Sequence, residues 1–253
     1  MFSGFAAAQA SAQAIDRVIV ERYNVQKPAT ATEPPLVTYR IYVDLAADHK
    51  LQMVFGHETH ALKIRTSTSF FNDLVNGVEV ADRLPADRLN TFPLALDSWI
   101  TMGAASNKDI GVPREFDTDG SVLECPPYAS YDPGSTGPRP TPLCIADGLV
   151  KASEVKEVVP FNFSTSYLGA IRGSELATTN GAWAVLGGIK GATAENIVLI
   201  AQLSTTGELA FELNLQIATP DNKIVRYVAS DPAEGEILFE GLTHGPSMRS
   251  ARP

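Results

Sequence analysis

The side chains whose types and spacing bear on chemistry are two cysteines, a run of alternate aspartates, one pair of histidines and a few aromatics. Cys125 and Cys144 bracket Pro126 to Leu143, a segment with six of the seventeen prolines. In an exported chain, two cysteines flanking such a segment read as a disulfide. Closing a loop of about 20 residues stabilises by roughly 3 kcal/mol through the entropy of the unfolded chain. The alternative is two free thiols in a reducing compartment. A metal pair fits less well, because neither cysteine has a second Cys or a His at ligand spacing. Just before the loop, Asp117-Thr118-Asp119-Gly120-Ser121, with Glu124 beyond, offers oxygen donors on alternate residues around a glycine turn. Calcium uses that arrangement, so Asp117, Asp119, Ser121 and Glu124 are candidate ligands. The glycine comes earlier than in a full EF-hand loop, and a solvated Asp-Gly turn is the competing reading.

His57-Glu58-Thr59-His60 invites a zinc reading, but the metalloprotease signature needs two residues between Glu and the second His, on a helix. This segment lies between two strands. No Gly-x-Ser-x-Gly elbow, P-loop or dinucleotide fingerprint is present. A pair of glycosidase carboxylates is neither suggested nor excluded by the sequence. Trp99 and Trp183 have the flat apolar faces that stack on sugar rings, yet both fall inside strand patterns, which favours a core role. Tyr128 and Tyr131, inside the cysteine-bracketed loop, are better placed for exposed stacking on a glycan. Asn162-Phe163-Ser164 matches a glycosylation acceptor by type, within a strand pattern.

The elements that must position these residues are strands. Ile197 to Leu203 is an apolar, β-branched run, and Ser204 to Gly207 follows as a turn in which Gly207 can take positive φ. From Leu209 to Ala218 the chain alternates without a fault: Leu209, Phe211, Leu213, Leu215 and Ile217 against Ala210, Glu212, Asn214, Gln216 and Ala218. The pattern predicts a hairpin from Ile197 to Ile217, central in a core sheet, with Phe211 and Leu213 inward. Val37 to Leu45 alternates in the same way. Further strands are expected at Ile15–Val25, Leu51–Phe55, Ala61–Phe71, Leu94–Ala104, Val155–Phe163, Ala182–Leu186, Ile224–Val228 and Ile237–Leu242. Asn107 to Leu149 is a long polar excursion, which in a compact domain needs a staple or a task. About nine to eleven strands at short spacing predict an all-β fold: one large antiparallel β-sandwich, jelly-roll-like, over residues 15–242, with a tail at 243–253.

Charged residues make up 19% of the chain, and the net charge is −9. Nucleic acid and anionic membranes are therefore poor partners. No apolar run reaches the length of a membrane span. Met1 to Ala14 is rich in Ala, Ser and Gln and ends Ala12-Gln13-Ala14, a small-x-small pattern like a signal-peptidase site. It reads as a leader remnant or as a disordered end that frays from an Ala-rich helix. The prolines and threonines of Gln26 to Pro35 make an extended linker, which lets the first strand pair with its own sheet or with a neighbouring copy's.

Thr38-Tyr39-Arg40-Ile41-Tyr42-Val43-Asp44, Phe70-Phe71-Asn72, Leu96-Asp97-Ser98-Trp99, Asn180-Gly181-Ala182-Trp183 and Thr193-Ala194-Glu195-Asn196 leading into Leu199-Ile200-Ala201-Gln202 carry a resemblance. They are similar to a β-rich domain that recurs in large secreted and cell-surface proteins of Bacteroidetes-type bacteria. The resemblance covers about half the chain and implies export and a surface module, with no catalytic residues to carry over. The expected function is a non-catalytic extracellular structural or adhesive module of a cell surface, appendage or matrix. Its partners would be other surface proteins or copies of itself, and it would hold no cofactor unless calcium. A carbohydrate-binding module and a hydrolase with a loop-built site are the alternatives.

Overall fold

The structure is a computed structural model that describes residues 13–26, 32–89, 94–118, 120, 122–123, 146–162 and 173–246. Among them the chain is all-β, with sixteen strands and only single turns of 3-10 helix. Sheet I takes the order β1 (Ile15–Gln26), β2 (Leu36–Leu45), β11 (Ile197–Thr205), β5 (Trp99–Ile100). Sheet II runs β15 (Glu236–Leu238), β14 (Ile224–Val228), β13 (Leu215–Ala218), β3 (Lys50–Phe55), β10 (Ala182–Ile189), β8 (Val159–Phe161). Sheet III runs β16 (Thr243–His244), β12 (Leu209–Glu212), β4 (Leu62–Thr66), β9 (Glu175–Thr178). A two-stranded ribbon pairs β6 (Asp109–Gly111) with β7 (Leu149–Lys151). The pairs in these sheets are antiparallel except β14 with β15.

Sheet I explains the most apolar stretch of the sequence. All nine residues of β11 are buried, because both faces of its sheet are covered. On one side Ile41, Val43, Val198, Ile200 and Leu203 join side chains of sheets II and III, among them Val54, Trp183, Ile64 and Phe211, in one core. On the other side Tyr42, Ile197 and Leu199 pack with Leu84, Leu94, Trp99 and Leu149. A strand buried on both faces reads as a continuous hydrophobic run rather than an alternating one. Burying such side chains is worth about 1.5 to 3 kcal/mol each before the entropy of ordering them.

The expected hairpin from Ile197 to Ile217 does not form. β11 already has β2 on one edge and β5 on the other, so it has no edge to offer. The chain instead leaves sheet I, pairs β12 with β4 in sheet III, and pairs β13 with β3 in sheet II. Phe211 and Leu213 do point inward, both fully buried. Asn214, on the other face, is also buried and marks the change of sheet: its amide donates to the carbonyls of Phe55 (3.1 Å) and His60 (2.9 Å). Gly207 is required for space rather than for positive φ, since a Cβ there would lie 2.6 to 2.7 Å from the hydroxyls of Ser67, Thr66 and Thr68. The strand expected around Trp99 shrinks to two residues, preceded by a buried 3-10 turn at Leu94–Leu96. The expected strand Ala61–Phe71 ends at Thr66.

β1 pairs with β2 of its own chain from Ile15 opposite Leu45 to Gln26 opposite Leu36, and it forms an edge of sheet I. Ala14 is buried, its N–H donating to the Tyr227 hydroxyl at 2.8 Å. At the other end β16 adds an edge strand to sheet III at Thr243–His244, beyond the expected end of the domain at Leu242. Among the described residues no helix is long and apolar enough to cross a membrane.

Candidate functional site

The long excursion has a built base. β6 and β7 bring its two ends together, and the Val112 N–H donates to the Gly148 carbonyl at 2.9 Å. Asp147, fully buried, accepts the N–H groups of Leu123 (2.7 Å) and Leu149 (3.1 Å) on its two carboxylate oxygens. Asp117, on the outgoing stem, accepts the Gly148 N–H of the returning stem at 2.9 Å. Burial raises the pKa of Asp147, opposed by its backbone hydrogen bonds and reinforced by the nearby Asp117 charge.

Beneath this base lies a polar cluster supplied by sheet I. Arg40, 3% exposed, donates from Nε to Gln202 Oε1 (2.9 Å) and from Nη1 to the Gly148 carbonyl (3.0 Å). Its guanidinium carbon stands 3.5 Å from the centroid of the Tyr23 ring, a cation–π contact shielded from water. The Tyr23 hydroxyl donates to the Asp147 carbonyl at 2.5 Å. The Tyr42 hydroxyl lies 2.9 Å from the Val112 carbonyl oxygen and 3.2 Å from Glu21 Oε2. Glu21 Oε1 accepts the Arg114 N–H at 3.0 Å, and the Arg114 side chain donates to the carbonyls of Ala146 (2.6 Å) and Tyr23 (3.2 Å). Gly148 sits at φ +64, where a Cβ would lie 2.7 Å from the Val112 carbonyl oxygen. Only glycine fits between the stems.

Burial pushes the Tyr23 hydroxyl up to about 12 and the Tyr42 hydroxyl well above its ordinary range, in each case against the lowering influence of Arg40. Burial opposes the Arg40 charge, and Tyr23, Tyr42 and Glu21 more than offset it, so its pKa lies above the ordinary value. A buried cation held in this way braces the structure and has no labile proton for catalysis near neutral pH.

A second buried acid organises the turn at 73–78. Asp97 accepts the N–H groups of Asp73 and Val78, each at 2.8 Å, and Asp73 Oδ1 accepts those of Val75 and Asn76. Gly77 passes close enough that a Cβ would meet both Asp97 carboxylate oxygens within 2.8 Å. Burial pushes the Asp97 carboxyl up to about 7.

An open groove of about 820 Å³ runs beside the base of the excursion, lined among others by Glu115, Phe116, Thr118, Lys151, Glu154 and Glu195. It offers one half-buried aromatic ring, Phe116, amid carboxylates and hydroxyls.

Of the candidates raised from sequence, Cys125, Cys144, Asp119, Ser121, Glu124, Tyr128 and Tyr131 lie outside the described residues. Asp117 is described: one carboxylate oxygen is committed to Gly148, and the other is buried with no hydrogen-bond partner among the described residues. Among the described residues no group of three or more His, Cys, Asp or Glu is placed to hold a metal ion. His57 and His60 close a tight turn through reciprocal backbone hydrogen bonds, and His60 Nε2 meets Glu236 at 2.8 Å, a structural contact between loop and strand. Trp99 and Trp183 are 1% and 0% exposed, so neither serves as a stacking platform. The Trp183 indole N–H donates to the Thr101 carbonyl at 3.0 Å. Asn162 follows β8 at φ +57, and the rest of its acceptor motif lies outside the described residues.

Of the bracing residues, Arg40, Tyr42 and Gln202 fall within the stretches that carry the resemblance but have no site chemistry implied there, and Glu21, Tyr23 and Asp147 belong to no motif. The available signal was indirect. A β11 run without polar alternation requires a cover on each side of β2, and that cover buries Arg40 and Tyr42. The chain matches no protein-family model, and no curated protein or solved structure matches it.

Proposed function

We propose that the protein is a non-catalytic extracellular structural or adhesive module, in which a β-scaffold presents the segment between residues 123 and 146 to a partner on a cell surface, appendage or matrix. The observation that carries this reading is the buried Arg40–Tyr23–Asp147 cluster, which ties both stems of that segment to the central sheet. Loops placed by a rigid scaffold are a common site of recognition. The packing of sheets I, II and III around one core favours a β-sandwich, jelly-roll-like arrangement. A disulfide between Cys125 and Cys144 would shorten the presented segment further. Mass spectrometry of unreduced peptides is expected to find the two cysteines joined, and two alkylatable thiols would remove that staple from the reading.

The test is replacement of residues 124–145 by a short Gly-Ser link, followed by binding to glycan arrays and to cell-surface extracts. The variant is expected to keep the wild-type unfolding transition and lose binding. Unchanged binding would remove the excursion from the function, and turnover of a polysaccharide or peptide panel by the wild type would overturn the non-catalytic reading. A second reading, carbohydrate binding, draws support from the groove at the excursion's base. There Phe116 offers a ring face beside Glu115, Glu154 and Glu195. Loss of glycan binding on Phe116→Ala with the excursion intact would favour it.

A further inference from the structure

Sheet II packs its inner face into the main core and leaves much of its outer face to solvent. On that outer face Phe55, Ala182 and Val228, with Met53 against them, form an apolar cluster separate from the main core. Around them Val159, Phe161, Ile224 and Leu238 are 40 to 50% exposed. Met53, Phe55, Phe161 and Ala182 line a hollow of about 150 Å³, with His57 and Arg226 also bordering it. The Arg226 guanidinium stands 5.7 Å from the Phe55 ring centroid. An apolar space of about this size accepts a benzene-sized group.

The same strand also carries a projection. β10 pairs with β3 from Ala182 to Ala184, and the pairing resumes only at Ile189 opposite Leu51. The residues between form a bulge. Val185 turns into the core, and Leu186 is left 97% exposed. Gly187 and Gly188 follow at φ +74 and +70, a conformation that glycine adopts without a Cβ clash. The bulge is anchored rather than loose. Lys156 Nζ donates to the Gly188 carbonyl at 3.0 Å, and a Cβ on Gly188 would lie 3.0 to 3.1 Å from Gln52, Leu51 and Lys50. A leucine held out into water at a fixed place is a feature that costs solubility and contributes nothing to the core.

We propose that the outer face of sheet II is a two-fold interface between copies of this chain, in which Leu186 of each copy enters the Met53–Phe55–Phe161–Ala182 hollow of the other. Knob and hole lie on one strand, four residues apart, or roughly 13 Å along it. A two-fold axis between them therefore seats both contacts at once, as an isologous interface requires. Charge does not oppose the approach: Arg226 and Glu236, in register across β14 and β15, are of opposite sign, although the whole chain carries −9. Six strands about 4.8 Å apart and five residues long present roughly 400 to 500 Å² per copy. That is below the size of a standard stable interface, so the association is weak and concentration-dependent. The proposal stands apart from the presented segment, and neither reading depends on the other.

The experiment is sedimentation velocity over a concentration series, on the wild type and on Leu186→Asp. The wild type is expected to shift toward the dimer as concentration rises. Leu186→Asp should weaken the dimer at least tenfold while leaving the thermal unfolding midpoint unchanged, because the side chain makes no core contact. Mixing Leu186→Cys with Phe161→Cys chains under mild oxidation should yield a cross-linked pair that neither variant gives alone. A wild type that stays monomeric up to its solubility limit would overturn the proposal. So would a dimer or filament that Leu186→Asp leaves intact, which would point to another surface such as the β1 edge.

Discussion

Asp97 couples the stability of the fold to pH. With no exposure and a carboxyl raised to about 7 by burial, it holds a proton in the folded protein across a range where an unfolded aspartic acid, with a pKa of about 3.9, has lost it. The stabilisation is therefore fully present below about pH 4 and is lost as pH rises through about 7. Urea unfolding midpoints are expected to fall between pH 5.5 and 8, and Asp97→Asn should flatten that dependence. A slope unchanged in the variant would assign it to other acids, such as Asp147 or Asp82, which burial also raises. Arg40 works through charge rather than titration. Replacing it by Ala leaves the Gly148 carbonyl and the Gln202 amide oxygen without their donors and removes the cation from above Tyr23. The expected cost is about 3 to 5 kcal/mol, measured by equilibrium denaturation. A loss below about 1 kcal/mol would mean that the stems hold without it.

β12 shows what a residue pattern conveys and where it stops. The alternation from Leu209 to Ala218 identifies inward side chains correctly, and Phe211, stacked on His244 with ring centroids 5.1 Å apart, is one of the largest buried groups. Phe211→Ala is expected to cost about 3 to 5 kcal/mol by lost burial and a residual cavity, read from the shift in the denaturation midpoint. The same alternation is silent on the passage from sheet III to sheet II at Leu213–Asn214, because inward and outward faces continue unbroken across it. β2 misleads in a related way. Thr38, Arg40, Tyr42 and Asp44 alternate with Val37, Tyr39, Ile41, Val43 and Leu45 as a solvent face would, and yet all four are buried. The cover over Tyr42 comes from Leu84, Leu94, Leu123 and Leu149, which lie in turns and short segments without a period of their own, while Thr38 meets the Ser204 hydroxyl, Arg40 the Gly148 carbonyl and Asp44 the Arg17 guanidinium. Burial of the two tryptophans was legible from their strand context. The candidate site was legible only as a long excursion in need of a base, since its bracing groups come from strands as far apart in sequence as β1 and β11.

At the scale of the whole molecule, most strand pairings join strands that are not consecutive in sequence. β2 pairs with β11, β3 pairs with β10 and β13, and β4 pairs with β12. This topology imposes an order of assembly. Until β11 has been synthesised, β2 has only β1 beside it, and until β12 and β13 arrive the main core lacks Phe211, Leu213, Leu215 and Ile217. The N-terminal strands must therefore wait as exposed apolar segments, and folding that depends on such distant pairings is slow. A chain truncated after residue 195 is expected to show no cooperative unfolding transition and to aggregate, whereas a separately folding N-terminal half would retain one. The waiting interval is where a chaperone would act, because exposed apolar strands and unpaired edges are then open to aggregation.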